Sequence, residues 1–481
     1  MKLIRHSLYN LIGLGLPLVT AVFSIPVLIR ELGDARFGLL TLIWAVVSYL
    51  SLFDLGLGRA LTQQLAVMLG SKERHRVGAL VVTAMAVITV FSIVAGVLMA
   101  ALGPWGLGFI QSIPDRQEAV NAIWIMALAM PAVVLTSGFR GILEARHAFA
   151  IVNMIRLPMG LLTFLGPLAV VLYGTPRLDV ITIVLAAGRV VTCALHAWYA
   201  KRVLPDDAGK FHFDKRLIRP LCSSGGWMTV SNVVSPLMSY ADRFIVGAVL
   251  SSAAVAYYVT PQELITKLSI MPSALTAVLF PTLAEQIARR DEAVMSVLRK
   301  AVIWIFLALL PITAAIAIFS KELLTLWVGE SFASQSYMLL QIFSAGMFIT
   351  CLAQIPFTVI QGAGRSHLTA VIHVVEAPLF LAALLVLSRQ YGLTGATIAW
   401  FLRVAIDAAL MFWGAKIVLN RSMFNKAGRN LLFVSGVAVL GFVGAAIPSM
   451  TVRAAWLLTV VVLVLLIAYF AGVGVRPRGR A

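Results

Sequence analysis

The sequence predicts an all-α, polytopic membrane protein with about fourteen transmembrane helices. Three observations carry that prediction. The chain has 481 residues, 60% of them hydrophobic and only 12% charged, where a soluble domain carries about 25% charged residues. Apolar stretches near the roughly 20 residues that a spanning helix needs recur from end to end. Basic residues crowd into alternate loops between those stretches. No stretch alternates with period two, so a porin-type barrel is excluded.

Taken in order, the predicted spans run roughly 8–29, 38–58, 79–101, 119–139, 149–173, 180–200, 226–249, 253–276, 301–320, 337–360, 367–388, 393–415, 430–448 and 453–474. Lys2 and Arg5 precede the first apolar run, which is too long for a signal-peptide core and is read as a retained span. The eighth span is the weakest by hydropathy, because it holds Glu263, Lys267, Pro261 and Pro272. Prolines at 17, 26, 131, 236, 272 and 311 predict bent helices. Gly56 and Gly58 allow a kink or a close helix approach near Asp54 and Arg59.

An even number of spans puts both termini on one side, and the loop charges choose that side. With both termini cytoplasmic, 26 of the 38 lysines and arginines face the cytoplasm and seven face outward. That bias sets the orientation. It also accounts for the net charge of +18 without a nucleic-acid partner. Cys193, Cys222 and Cys351 have neither metal-like nor disulfide-like spacing.

The two halves resemble each other at an offset near 218, with residues 60–74 (ALTQQLAVMLGSKER) over 278–292 (VLFPTLAEQIARRDE). The expected organisation is a six-helix half (1–200), a basic cytoplasmic linker (201–225), a second six-helix half (226–416) and two additional helices (417–481). Six spans per repeat gives parallel repeats, a plan in which transporters place the substrate near the midplane. No GxxxxGK[ST], HExxH or GxSxG motif occurs, so neither ATP hydrolysis nor hydrolase chemistry is expected.

The stretches RELGDARFGLLTLIWAVVSYLSLFDLGLGRALTQQLA (30–66) and ADRFIVGAVLSSAAVAYYVTPQELITKLSIMPSALTAVLFPTLAE (241–285) resemble the polysaccharide transport family of bacterial flippases. The resemblance implies a multi-pass inner-membrane protein of the multidrug and oligosaccharidyl-lipid exporter superfamily. It implies translocation of undecaprenyl-diphosphate-linked oligosaccharide for O-antigen, capsule or exopolysaccharide. It implies membrane lipid as surroundings, and a polymerase and chain-length machinery as partners. The alternatives are a multidrug exporter of the same superfamily and an integral-membrane polymerase or ligase. Lone intramembrane arginines suit a cationic drug poorly, and short outer loops suit an enzyme poorly.

Charged residues inside spans are the candidate site, since each costs roughly 2.5–3.5 kcal/mol on insertion scales. Arg156 and Arg189 have no acid three or four positions away, and guanidinium matches phosphate geometry, so they are the first candidates for the diphosphate. Arg156 alternatively snorkels to the cytoplasmic surface. Arg243, Arg403 and Lys267 follow as substrate contacts. Glu263 with Lys267, and Arg403 with Asp407, stand four apart and can neutralise each other. Glu376, Asp407, Asp242, Glu263 and Asp54 are the candidates for ion coupling or gating. Glu376 leads them, because a buried carboxyl can take up and release a proton or meet a sodium ion. No cofactor or metal is expected, and His196, His367 and His373 read as isolated interior polar groups.

Overall fold

A computed structural model describes residues 2–50, 56–69, 71, 73–204, 209–219, 221, 238, 240–288, 293–420 and 428–470, with side chains for most of these. Every regular element among the described residues is helical. Nine of the described helices are long and apolar enough to cross a membrane. The chain divides into two compact units, Met1–Ala256 and Tyr257–Ala481.

The first unit holds α1 (Lys2–Leu50), α2 (Leu57–Leu69), α3 (Val77–Gly106), α4 (Arg116–Ala145), α5 (Phe149–Tyr173) and α6 (Leu178–Val203), with the helical stretch 240–249. α1 covers the first predicted span and the second as far as Leu50. A straight helix of 49 residues would be about 73 Å long, more than twice the hydrocarbon thickness of a bilayer. Gly33 breaks it at φ 76° and ψ 160°, a left-sided conformation that glycine adopts without a Cβ penalty. The two arms then fold back together. Pro17 of the first arm lies against Gly160 of α5. Trp44 of the second packs edge-on against Phe164, one turn further along α5, at 5.3 Å between ring centroids.

Contacts at the two ends of this unit confirm the alternation of its helices. At one end Arg36 donates to Glu118 at 3.0 Å, and Glu118 also accepts the Leu178 backbone N–H. The starts of α4 and α6 therefore meet beside the Gly33 turn. Asp115 caps α4, its carboxylate accepting the Glu118 N–H at 3.0 Å. At the other end Thr62 of α2 donates to the Gly141 carbonyl of α4 at 3.2 Å. There too the Asp214 N–H donates to Thr83 of α3 at 2.9 Å. Gly38 approaches the Ser252 carbonyl so closely that a Cβ would collide with it.

α7 (Ser252–Thr266) runs across the boundary into the second unit. It continues through a tight turn at Lys267–Ser269 into α8 (Ile270–Ala288), so the weak eighth span is two helices joined at its charged, proline-bearing middle. α9 (Ala293–Ile318), α10 (Ser320–Val328), α11 (Glu330–Gly362), α12 (Ser366–Leu419), α13 (Gly428–Val443) and α14 (Met450–Phe470) follow. α12 unites the eleventh and twelfth predicted spans in 54 residues, broken at Gly392 with φ 60° and ψ −139°. It is a hairpin. His373 and Asp407 would be about 50 Å apart in a straight helix, yet they stand 3.4 Å apart. α11 packs on α7 and on the second arm of the hairpin through buried aromatic rings: Phe343 touches Tyr258 at 5.1 Å and Trp400 at 5.0 Å.

The outward surface is apolar. Val90, Ile93, Val94 and Val97 of α3, and Val374, Val375 and Leu379 of α12, are exposed. Patches of this kind are unstable in water and stable against acyl chains.

Candidate functional site

Two groups of charged side chains lie inside predicted spans, one in each unit. In the second unit the Gly392 turn sets the geometry. Glu376 lies 16 positions before that glycine and Asp407 lies 15 after it. At 1.5 Å per residue both are about 23 Å from the turn, at one depth in the hairpin. His373 precedes Glu376 by one helical turn and shares its face. Its Nε2 faces Asp407 Oδ1 at 3.4 Å, and its ring stacks parallel to Phe357 of α11. One ligand-type atom from each of His373, Glu376 and Asp407 falls within 4.8 Å of the others. Glu376 is 5% exposed. Neither of its carboxylate oxygens, nor Asp407 Oδ1, has a hydrogen-bond partner among the described residues.

This arrangement corrects two readings made along the chain. Arg403 does not neutralise Asp407 four residues on. Its guanidinium lies over the Phe380 ring at 5.2 Å, and its Nε has no acceptor among the described residues. Asp407 turns across the hairpin to His373 instead. His373 is not isolated, because the fold-back supplies it with a partner that helical spacing cannot show.

In the first unit, Arg156 is exposed on the second turn of α5, and Arg189 is half-buried on α6. The two helices pack closely where Gly188 meets Met159 and Leu162, so the arginines lie on adjoining helices about the same crossing. Neither arginine has an ion pair or hydrogen bond among the described residues. A cavity of about 430 Å³ in this unit, lined by Leu39, Leu42, Phe109, Ile123 and Phe244, has no charged side chain in its wall. It suits apolar matter and not a phosphate.

The other candidates fall in varied settings. Asp242 and Arg243 are buried and engaged: Asp242 accepts the Arg243 N–H at 2.8 Å, and the Arg243 guanidinium lies 5.0 Å from the Tyr240 ring. Lys267 and Glu263 form the expected local pair at 2.6 Å, both partly exposed. His196 is buried and its Nδ1 meets the Thr192 carbonyl at 2.8 Å, while His367 is exposed. Asp54 lies outside the described residues.

Helical spacing also gave no sign of an ion pair between Arg453 and Glu322. Arg453, at the start of α14, reaches Glu322 of α10 at 2.6 Å and the Ile318 carbonyl at 3.0 Å. Burial pushes the Glu322 carboxyl up. The Arg453 hydrogen bond and charge, with the local backbone and Lys321, outweigh it and hold the group below its ordinary value.

Residues 2–287 match the family model described as "Polysaccharide biosynthesis protein". The chain belongs to that family. It is 32% identical over 414 residues to a Shigella flexneri protein named "Putative O-antigen transporter". That match covers 86% of this chain and 97% of the relative. It is 22% identical to the uncharacterized membrane protein EpsK of Bacillus subtilis, over 85% of this chain and 82% of the relative. In fold it is similar to an inward-facing multidrug transporter of the MATE family (TM-score 0.72, 13% identity, 87% of this chain and 99% of that one). It is also similar to the lipid II flippase MurJ (TM-score 0.70, 12% identity, 97% of this chain and 100% of that one). These likenesses establish the exporter-type helical fold that the sequence resemblance implies.

Proposed function

We propose that this protein is a flippase of the bacterial inner membrane, with both termini cytoplasmic. It carries oligosaccharide units linked to undecaprenyl diphosphate from the cytoplasmic to the periplasmic leaflet by alternating access, for assembly of a surface polysaccharide. The observation that carries this reading is the likeness to the Shigella flexneri protein named "Putative O-antigen transporter" over 97% of that protein's length. The two unpaired arginines of α5 and α6 support it. A guanidinium in a span with no acid costs energy that a diphosphate offsets by charge and by its acceptor oxygens. Arg189 is the primary phosphate contact, with Arg156 at its rim and Arg243, Arg403 and Lys267 engaging later in the cycle. A proton or sodium ion bound at Glu376 and Asp407 couples the cycle, and Asp242, Glu263 and Asp54 serve its gates. A polymerase and its chain-length machinery receive the product.

The test is the sidedness of the lipid-linked oligosaccharide in cells lacking the protein. The expected result is accumulation on the cytoplasmic leaflet with loss of surface glycan. Restoring Arg189→Ala at normal protein level is expected to leave transport at least about tenfold below wild type. An intermediate that reaches the outer leaflet and stays there unpolymerised would move the assignment to a polymerase or ligase.

A further inference from the structure

The His373–Glu376–Asp407 cluster has a feature that ion pairing leaves unexplained. Three side chains with metal-binding atoms converge within 4.8 Å, and they do not hydrogen-bond to one another. Glu376 is 5% exposed and both its oxygens lack a donor among the described residues. A buried carboxylate in that state is unfavourable unless a cation or a proton meets it. The His373–Asp407 separation of 3.4 Å is long for a hydrogen bond. It does match the spacing of two ligands on a tetrahedral zinc ion, about 3.4 Å for bonds near 2.0–2.1 Å.

We propose that His373, Glu376 and Asp407 form a binding site for a divalent transition-metal ion of the zinc class, closing across the α12 hairpin. One imidazole and two carboxylates make a three-ligand set, with water as the fourth ligand. The imidazole selects against magnesium and calcium, which take oxygen ligands in larger number. The His373 ring lies beside Phe357, 20° from parallel at 6.4 Å between centroids, which limits how the imidazole can turn. His373 and Asp407 keep 18% and 22% of their side-chain surface exposed, so an ion has a way in. Arg403, one turn from Asp407, is the cation that opposes binding, and the two carboxylates outnumber it. The site occupies the position given above to the coupling ion, but its occupancy by metal is measured without transport.

The experiment is a cobalt titration of the full-length protein in lipid nanodiscs, followed by displacement with zinc. The expected result is one equivalent of cobalt with the visible absorption of a four- or five-coordinate site, bleached by zinc and untouched by magnesium or calcium. Glu376→Gln, Asp407→Asn and His373→Ala are each expected to weaken binding at least about tenfold. Arg403→Gln is expected to strengthen it, an effect that general damage to the fold would not produce. His367→Ala, on the exposed surface, is expected to leave it unchanged. Absence of saturable binding, or binding that survives Glu376→Gln with Asp407→Asn, would overturn the proposal. Because binding is read directly, a positive result stands even if the sidedness experiment rejects the flippase reading, and a negative one leaves that reading intact.

Discussion

Glu118 in the first unit and Glu376 in the second are the same residue type at nearly the same burial, 3% and 5% exposed. Their surroundings are opposite. Glu118 receives the Arg36 guanidinium and the Leu178 N–H, so its negative charge is answered at the end of a helix bundle. Glu376 receives no hydrogen bond from any described residue, and a second carboxylate and an imidazole face it. A satisfied buried carboxylate fixes helices in place. An unsatisfied one in the same medium is poised to take something up. Burial alone therefore does not separate a structural acid from a working one, whereas the donor inventory does.

The largest expected effect breaks this comparison directly. Glu376→Gln keeps shape and removes charge, and should lower oligosaccharide transport at least about tenfold while the thermal midpoint stays near wild type. Wild-type transport in that variant would remove Glu376 from the cycle. Glu118→Gln should do the reverse. It leaves Arg36 without its carboxylate and should cost about 2–3 kcal/mol of stability, with transport falling only as protein abundance falls. Thermal melting of the detergent-solubilised protein, set beside quantified membrane levels, separates the two outcomes.

A smaller effect tests whether the first unit is held by packing as much as by charge. Gly38→Ala drives a methyl into the Ser252 carbonyl and should destabilise by about 1–3 kcal/mol without altering any charge. A neutral result in the same melting assay would mean that α1 can shift away from α7 freely.

The smallest effect concerns Glu322, an intermediate case that is paired but 37% exposed on its side chain. Its carboxyl lies below its ordinary value. The pair's contribution is therefore present above the ordinary carboxylate range and is lost as pH falls through the lower folded value. Solvent screening limits it to under about 1 kcal/mol. Acid melts of wild type and Glu322→Gln should converge at low pH and differ slightly near neutrality. A difference that persisted in acid would show that Glu322 contributes through something other than its charge.

The long helices were legible because apolar composition over about 20 residues is a local property of the chain. So was the Glu263–Lys267 pair, since four residues is one helical step. The same rule applied to Arg403 and Asp407 gave a pair that the fold does not make. Helical spacing put Arg403 one step away, but the fold turns Asp407 to His373 across the hairpin. Gly33 and Gly392 were written in the sequence without any signal that they were the turning points. Gly392 lies in QYGLTG and Gly33 in ELGDAR, and other glycines in comparable settings stay helical.

By itself the sequence determined the medium, the recurrence of long apolar segments and the supply of charges within them, because hydropathy and charge are summed along the chain. The tertiary structure decided which charges meet. Glu118 finds Arg36 across 82 positions and Asp407 finds His373 across the Gly392 turn. Those meetings follow from where two glycines reverse the chain, and from contacts that form only when the partners come within about 3 Å.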